Sequence, residues 1–203
     1  MRQLLRASIL AGFFFSAVTG CGGGQNDTSA AQTASSLVVY QFTATIQSYV
    51  DSWAPFPAAV GDVITGTFSY DPNVGTQKAP AGVQVKIGSI TLNSDLSSMY
   101  SPIVIQNDLQ HPPLPDGSPS NKSDVFQWIT NDTSVAAQYG LVWIQTSIVL
   151  EDTAGTVFND SRIPTNLSLS QFNNAFISIG KEVQGVGGFG FCSAPITSLH
   201  RLQ

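Results

Sequence analysis

Positive charge is scarce in this chain: 8 lysines and arginines stand against 13 aspartates and glutamates in 203 residues. Arg2 and Arg6 lie at the very start, and the other basic residues are scattered. Binding to nucleic acid requires a basic stripe that displaces counterions from phosphates. That class is excluded, as is electrostatic adhesion to a membrane. Histidine is nearly absent: His111 sits in a proline-rich stretch and His200 near the end. A Ser-His-Asp hydrolase needs a base and an orienting acid beside its nucleophile, and no Gly-x-Ser-x-Gly elbow is present. Zinc needs three or four nitrogen or sulfur ligands in workable spacing, which two histidines with the one apolar-flanked cysteine, Cys192, do not supply. Gly185-Val186-Gly187-Gly188-Phe189-Gly190 matches the dinucleotide fingerprint in letters only, because no helix follows to hold a pyrophosphate. Those glycines are expected to form a bulge or hairpin.

No apolar run reaches the length of about 20 residues that spans a bilayer. The first twenty residues carry a shorter one, from Ile9 through Phe13, Phe14 and Phe15 to Val18, after a start made positive by Arg2 and Arg6. This is the layout of a secretory signal. It ends in Val18-Thr19-Gly20-Cys21, which resembles the lipobox of bacterial lipoproteins. The resemblance implies cleavage before Cys21, acylation of its thiol, and a membrane partner reached through lipid. Gly22 rather than aspartate follows the cysteine, and by that family's sorting rule the expected location is the outer membrane of a diderm cell envelope. Several acyl chains, each methylene worth about 0.8 kcal/mol, make such an anchor stable. From Gly22 to Ser36 the chain is small and polar, too poor in apolar groups to order itself, and reads as a tether. The expected organisation is a signal over 1–20, the lipidated cysteine and tether over 21–36, and a single domain over 37–203.

Cys21 is thereby consumed, which leaves Cys192 without a disulfide partner. Its neighbours Phe189, Gly190 and Phe191 suit a small buried hydrophobe better than a nucleophile. Loss of Arg2 and Arg6 takes the formal charge from −5 to −7.

Helical periodicity is also missing after the tether, and period-two alternation takes its place. Tyr40, Phe42, Ala44 and Ile46 alternate with Gln41, Thr43, Thr45 and Gln47; Ile64, Gly66, Phe68 and Tyr70 alternate with Val63, Thr65, Thr67 and Ser69. Further strands are expected at 83–87, 89–92, 103–106, 125–130, 141–150, 175–183, 188–192 and 195–202. In 141–150, the most apolar, Val142, Ile144, Ile148 and Leu150 are expected to share a face. One helical turn is expected over 168–172. So many short strands in one domain point to an all-β antiparallel two-sheet β-sandwich, with a jelly roll as one form of it and a barrel as the alternative.

Val60-Gly61-Asp62-Val63-Ile64-Thr65-Gly66-Thr67-Phe68-Ser69-Tyr70-Asp71, preceded by Phe42-Thr43-Ala44-Thr45-Ile46, resembles a segment of secreted bacterial proteins of the PEP-CTERM type, sorted by exosortases. Val104 to Asp108 with Asp124-Val125-Phe126, and Leu150 to Gly155 through Ile163-Pro164 to Leu169, resemble later parts of that family. The resemblance implies an exported β domain and transfers no catalytic residue. The last residues, Leu199 to Gln203, carry no sorting motif, so lipid is expected to replace the usual anchor.

Two ligand chemistries fit the residues. Asn107, Asp108, Asp116, Asn121 and Asp124 bracket a long interruption, 108–124, and offer the hard oxygens that calcium takes, although aspartate and asparagine are also the ordinary turn residues. Trp53 and Phe56, in a proline-broken loop, offer a platform on which a sugar ring would stack, while Trp128 and Trp143 are weaker candidates because aromatic side chains also fill sandwich cores. The expectation is a non-enzymatic binding or structural protein of the envelope, with a surface glycan or envelope protein as partner. A carbohydrate- or calcium-dependent binding module comes second and a hydrolase third.

Overall fold

The computed structural model describes residues 37–50, 56–73, 82–94, 103–111 and 122–203, the last without the side chains of 187–191. Ten strands follow in order: β1 (Val38–Thr45), β2 (Ser48–Tyr49), β3 (Val63–Tyr70), β4 (Gly82–Ile87), β5 (Ile90–Asn93), β6 (Ile103–Gln110), β7 (Lys122–Asp132), β8 (Leu141–Asp152), β9 (Asn174–Val183) and β10 (Gly187–Arg201). Every pairing is antiparallel. The hydrogen-bonded order is β5-β4-β3-β1-β10-β9-β8-β7-β6, with β2 on β10. The fold is all-β, as the alternation implies.

One continuous path forms two layers because β10 belongs to both. Its first half, to Pro195, pairs with β9, and its second half, from Ile196, pairs with β1. The sequence reads as two strands here, broken at Pro195. The proline is tolerated because it falls where the strand leaves one partner for the other, so its missing N–H interrupts neither ladder. Across the layers, Phe68 and Tyr70 of β3 meet Phe126 and Trp128 of β7 with ring centroids 5.8–6.4 Å apart. Strands far apart in the path thus face each other over an aromatic core. Asn93 N of β5 donates to Asp132 Oδ2 of β7 at 2.7 Å, a polar tie between the layers.

Gly66 is part of this core. It lies opposite Phe42 across the β1–β3 ladder, and a Cβ there would stand 2.5 Å from Phe42 Cζ. The absent side chain is the space that the phenylalanine ring fills.

Three expectations need correction. Val142 is 43 % exposed while Leu141 is buried, because the register shifts between Leu141 and Trp143 and turns Val142 outward. β6 and β7 run on to Gln110 and back to Lys122, so the connection between them is shorter than 108–124. A five-residue helix, α1 (Ser134–Gln138), had no periodic signal at that length; Asp132 Oδ1 starts it by accepting Val135 N at 2.8 Å. The helical turn expected over 168–172 is found, as a 3₁₀ turn at Leu169–Gln171. The glycine-rich run is the β9–β10 hairpin, turning at Gly185 with φ of 78°.

Candidate functional site

The longest connection described runs from Thr153 to Ser168, between β8 and the 3₁₀ turn. A loop of that length in a compact domain has a functional role more often than shorter ones do. Here its shape is fixed by two buried carboxylates. Asp124 and Asp152 are register partners at the same end of β7 and β8, 0 % and 5 % exposed. A carboxylate removed from water must find hydrogen-bond donors, and both find them in this loop.

Asp152 Oδ1 accepts Ala154 N at 3.1 Å, and Oδ2 accepts Thr156 N at 2.8 Å and Thr156 Oγ1 at 2.9 Å. Those hydrogen bonds, Thr156 N foremost, hold its carboxyl below the usual range despite burial, which acts the other way. Asp124 Oδ2 accepts Val157 N at 2.8 Å and Phe158 N at 2.7 Å, and Oδ1 accepts Asp108 N at 3.0 Å. One side chain therefore joins the irregular end of β6 to the loop after β8. Asp108 has φ of 56° at the point where the β6–β7 register shifts. Gly155, with φ of 62°, packs against the Lys122 backbone, where a side chain in that conformation would be strained.

The far half of the loop is also held. Ile163 and Leu167 are buried, Leu167 N donates to the Tyr40 hydroxyl, and Arg201 Nη1 donates to Thr165 O at 2.9 Å. Phe158 packs on Phe172, ring centroids 6.0 Å apart. Between this loop and Pro72-Asn73 at the end of β3 lies an open groove of about 500 Å³, within the usual range for small-ligand sites. Its walls include Pro72, Phe158, Ile163 and Pro164, and its polar groups include Asn73, Asp160 and Arg162. Asp160 Oδ2 accepts Arg162 Nε at 2.7 Å and Nη2 at 2.6 Å, and Oδ1 accepts Arg162 N at 2.8 Å. These bonds hold the Asp160 carboxyl below its usual range and raise Arg162.

No family model, curated protein or solved structure matches this chain. The reading of the site rests on its geometry.

The residues singled out from the sequence fall differently. Cys21, Trp53, Asp116 and Asn121 lie outside the described residues. Asn107, Asp108 and Asp124 do come together at the end of β6 and β7, but both Asp124 oxygens accept backbone N–H groups and the Asp108 carboxylate faces Lys122 Nζ at 3.4 Å. Among the described residues no group of three or more His, Cys, Asp or Glu is arranged to hold a metal. Phe56 offers no sugar platform. It is 2 % exposed and packs on Tyr139 at 5.4 Å, because apolar area in a short loop beside a core is worth more buried than displayed. Trp128 belongs to the core and is 1 % exposed.

His111 does approach a serine and an acid. Its Nε2 lies 2.7 Å from Ser123 Oγ and 3.6 Å from Glu151 Oε1. Both partners meet the same ring nitrogen, whereas a triad places acid and nucleophile on opposite nitrogens; Ser123 is moreover 0 % exposed. This arrangement braces the end of β6 against β7 and β8. Cys192 is buried, and burial, aided by Asp62, pushes its thiol up to about 12. It is protonated at neutral pH and chemically quiet.

The groove residues escaped sequence reasoning. Asp160-Ser161-Arg162 reads as one more polar turn, and the only signal was a long stretch after Gly155 without alternation. Its other wall, Pro72-Asn73, is far away in the chain.

Proposed function

We propose that this protein is a lipid-anchored β-sandwich of the bacterial cell envelope that works by binding, through the groove over Thr153–Ser168, and not by catalysis. The observation that carries the binding part is the number of buried or fixed groups that hold this loop open: Asp124, Asp152, Tyr40 and Arg201 all bond its backbone. A site held in shape before its ligand arrives loses less entropy on binding. The anchor rests on Val18-Thr19-Gly20-Cys21 and its leader, and on that basis the protein sits at the outer membrane of a diderm, attached through Cys21. Among the described residues no helix is long and apolar enough to cross a membrane.

Binding is tested by hydrogen exchange on the full chain with and without fractionated envelope polysaccharide and protein. Slower exchange across 153–168 with one fraction is expected. Identical exchange with every fraction sinks the binding part. For the anchor, Cys21→Ser is expected to leave the chain unprocessed or released from membranes; unchanged acylation and retention would falsify it.

A further inference from the structure

The geometry points to a neutral oligosaccharide as the ligand of the groove between Pro72-Asn73 and the 153–168 loop, with Asp160 and Arg162 together as its recognition element; this rests on the binding reading above.

Charge is the first ground. Asp160 and Arg162 neutralise each other across two side-chain contacts. Nearby, Arg201 reaches Thr165 O and Asp71 accepts Asn73 N and Nδ2. Among the described residues of the groove wall the only charged side chains, Asp160 and Arg162, are of opposite sign, so that wall favours neither an anionic nor a cationic ligand.

Hydrogen-bonding chemistry is the second. Arg162 uses Nε and Nη2 on Asp160, and Nη1 has no partner among the described residues. The Asn73 carbonyl oxygen is likewise unpaired among them while its amide nitrogen is held. A fixed guanidinium donor, a fixed carboxylate and amide acceptors side by side match neighbouring hydroxyls of a sugar, each of which both donates and accepts. The ion pair keeps the planar guanidinium in one orientation, so less side-chain entropy is lost than for a free arginine.

Apolar surface is the third. Pro72, Phe158 and Pro164 line the walls together with those polar groups, over the buried Ile163. Phe158 is held from behind by Phe172 and through its N–H by Asp124. A pyranose has apolar C–H faces and a polar rim, and a pocket that is apolar with a few fixed polar groups suits it. A fully apolar lipid or a highly charged nucleotide fits neither half of that pattern.

The test uses the full chain in a non-glycosidic detergent, titrated calorimetrically with cellohexaose, xylohexaose, chitohexaose and maltohexaose, and with polygalacturonate and an uncharged decapeptide as contrasts. At least one neutral hexaose is expected to bind, and Asp160→Ala and Arg162→Ala are each expected to weaken it about tenfold, the loss of one charge-assisted hydrogen bond. Both side chains are at the surface, so unchanged unfolding midpoints confirm that the variants fold. Thr65→Ala, exposed near the start of β3 while the groove adjoins its end, should bind as the parent does. Failure of every neutral hexaose to bind overturns the inference, and so does binding that neither groove variant weakens. If the polyanion or the peptide binds instead and the variants weaken it, the saccharide is wrong and the binding reading stands. The hydrogen-exchange experiment tests that reading separately.

Discussion

Among the described residues, three buried aspartates carry the same burden. Asp124, Asp132 and Asp152 are each at most 5 % exposed, and each accepts backbone N–H groups where a strand gives way to a loop or helix. Aspartate suits this because its short side chain brings a charge to neighbouring amides without long-chain entropy. Asp124 is the most connected, and Asp124→Ala leaves three N–H donors without an acceptor in a largely dry place. A loss of about 3 kcal/mol is expected in urea unfolding, with hydrogen exchange quickened at Asp108, Val157 and Phe158; unchanged exchange at those amides would count against the bonding described. Asp152 adds a pH signature. Its folded carboxyl is held low, so its contribution is present in full above the ordinary aspartate value of about 3.9 and is lost as pH falls through the lower folded value. Between pH 5 and pH 2, Asp152→Asn should show a shallower loss of stability than the parent, measured by denaturant midpoints. Parallel slopes would refute it.

At the level of elements, the strands follow from alternation and the irregularities follow from contacts. In β3 the inward positions Ile64, Gly66, Phe68 and Tyr70 alternate as the sequence pattern requires, and glycine at the second is explained only by Phe42 across the ladder. Gly66→Ala forces that ring or the β4 backbone to move, with an expected cost of about 1–3 kcal/mol; pairing it with Phe42→Leu should recover part of the loss. A double variant no better than the sum of the singles would show that the crowding is with the backbone instead. β8 shows the converse case. Its apolar residues alone put Val142 inward, but one extra residue at the Leu141–Trp143 irregularity flips it outward. A bulge has no compositional mark here. The 153–168 loop was half legible: Asp152 to Gly155 reads as a turn, yet what makes the segment a groove wall is Asp124, Tyr40 and Arg201, all distant in sequence.

At the scale of the molecule, β10 unites the two layers, joining β1 and β2 from the beginning of the domain to β9, the strand that precedes it. Deleting residues 196–203 removes one of the two hydrogen-bond partners of β1, leaving only β3, and opens the sheet at its centre. Loss of the cooperative unfolding transition is expected by near-ultraviolet circular dichroism, with exposed aromatic side chains from the Phe68–Trp128 contact; a sharp transition at the parent midpoint would mean that the layers hold without it. Composition and alternation were enough to establish an all-β antiparallel domain, its approximate strands and the inert setting of Cys192, because burial on one face of a strand repeats every second residue and is written locally. They were enough also for the expectation of an N-terminal lipid anchor. The joining of both layers through one strand and the groove at Asp160 and Arg162 were decided by folding alone. Those features depend on pairings between residues such as Tyr40 and Leu167, or Asp124 and Phe158, whose meeting is set by sheet order and bulges. Neighbours in sequence carry no trace of that order.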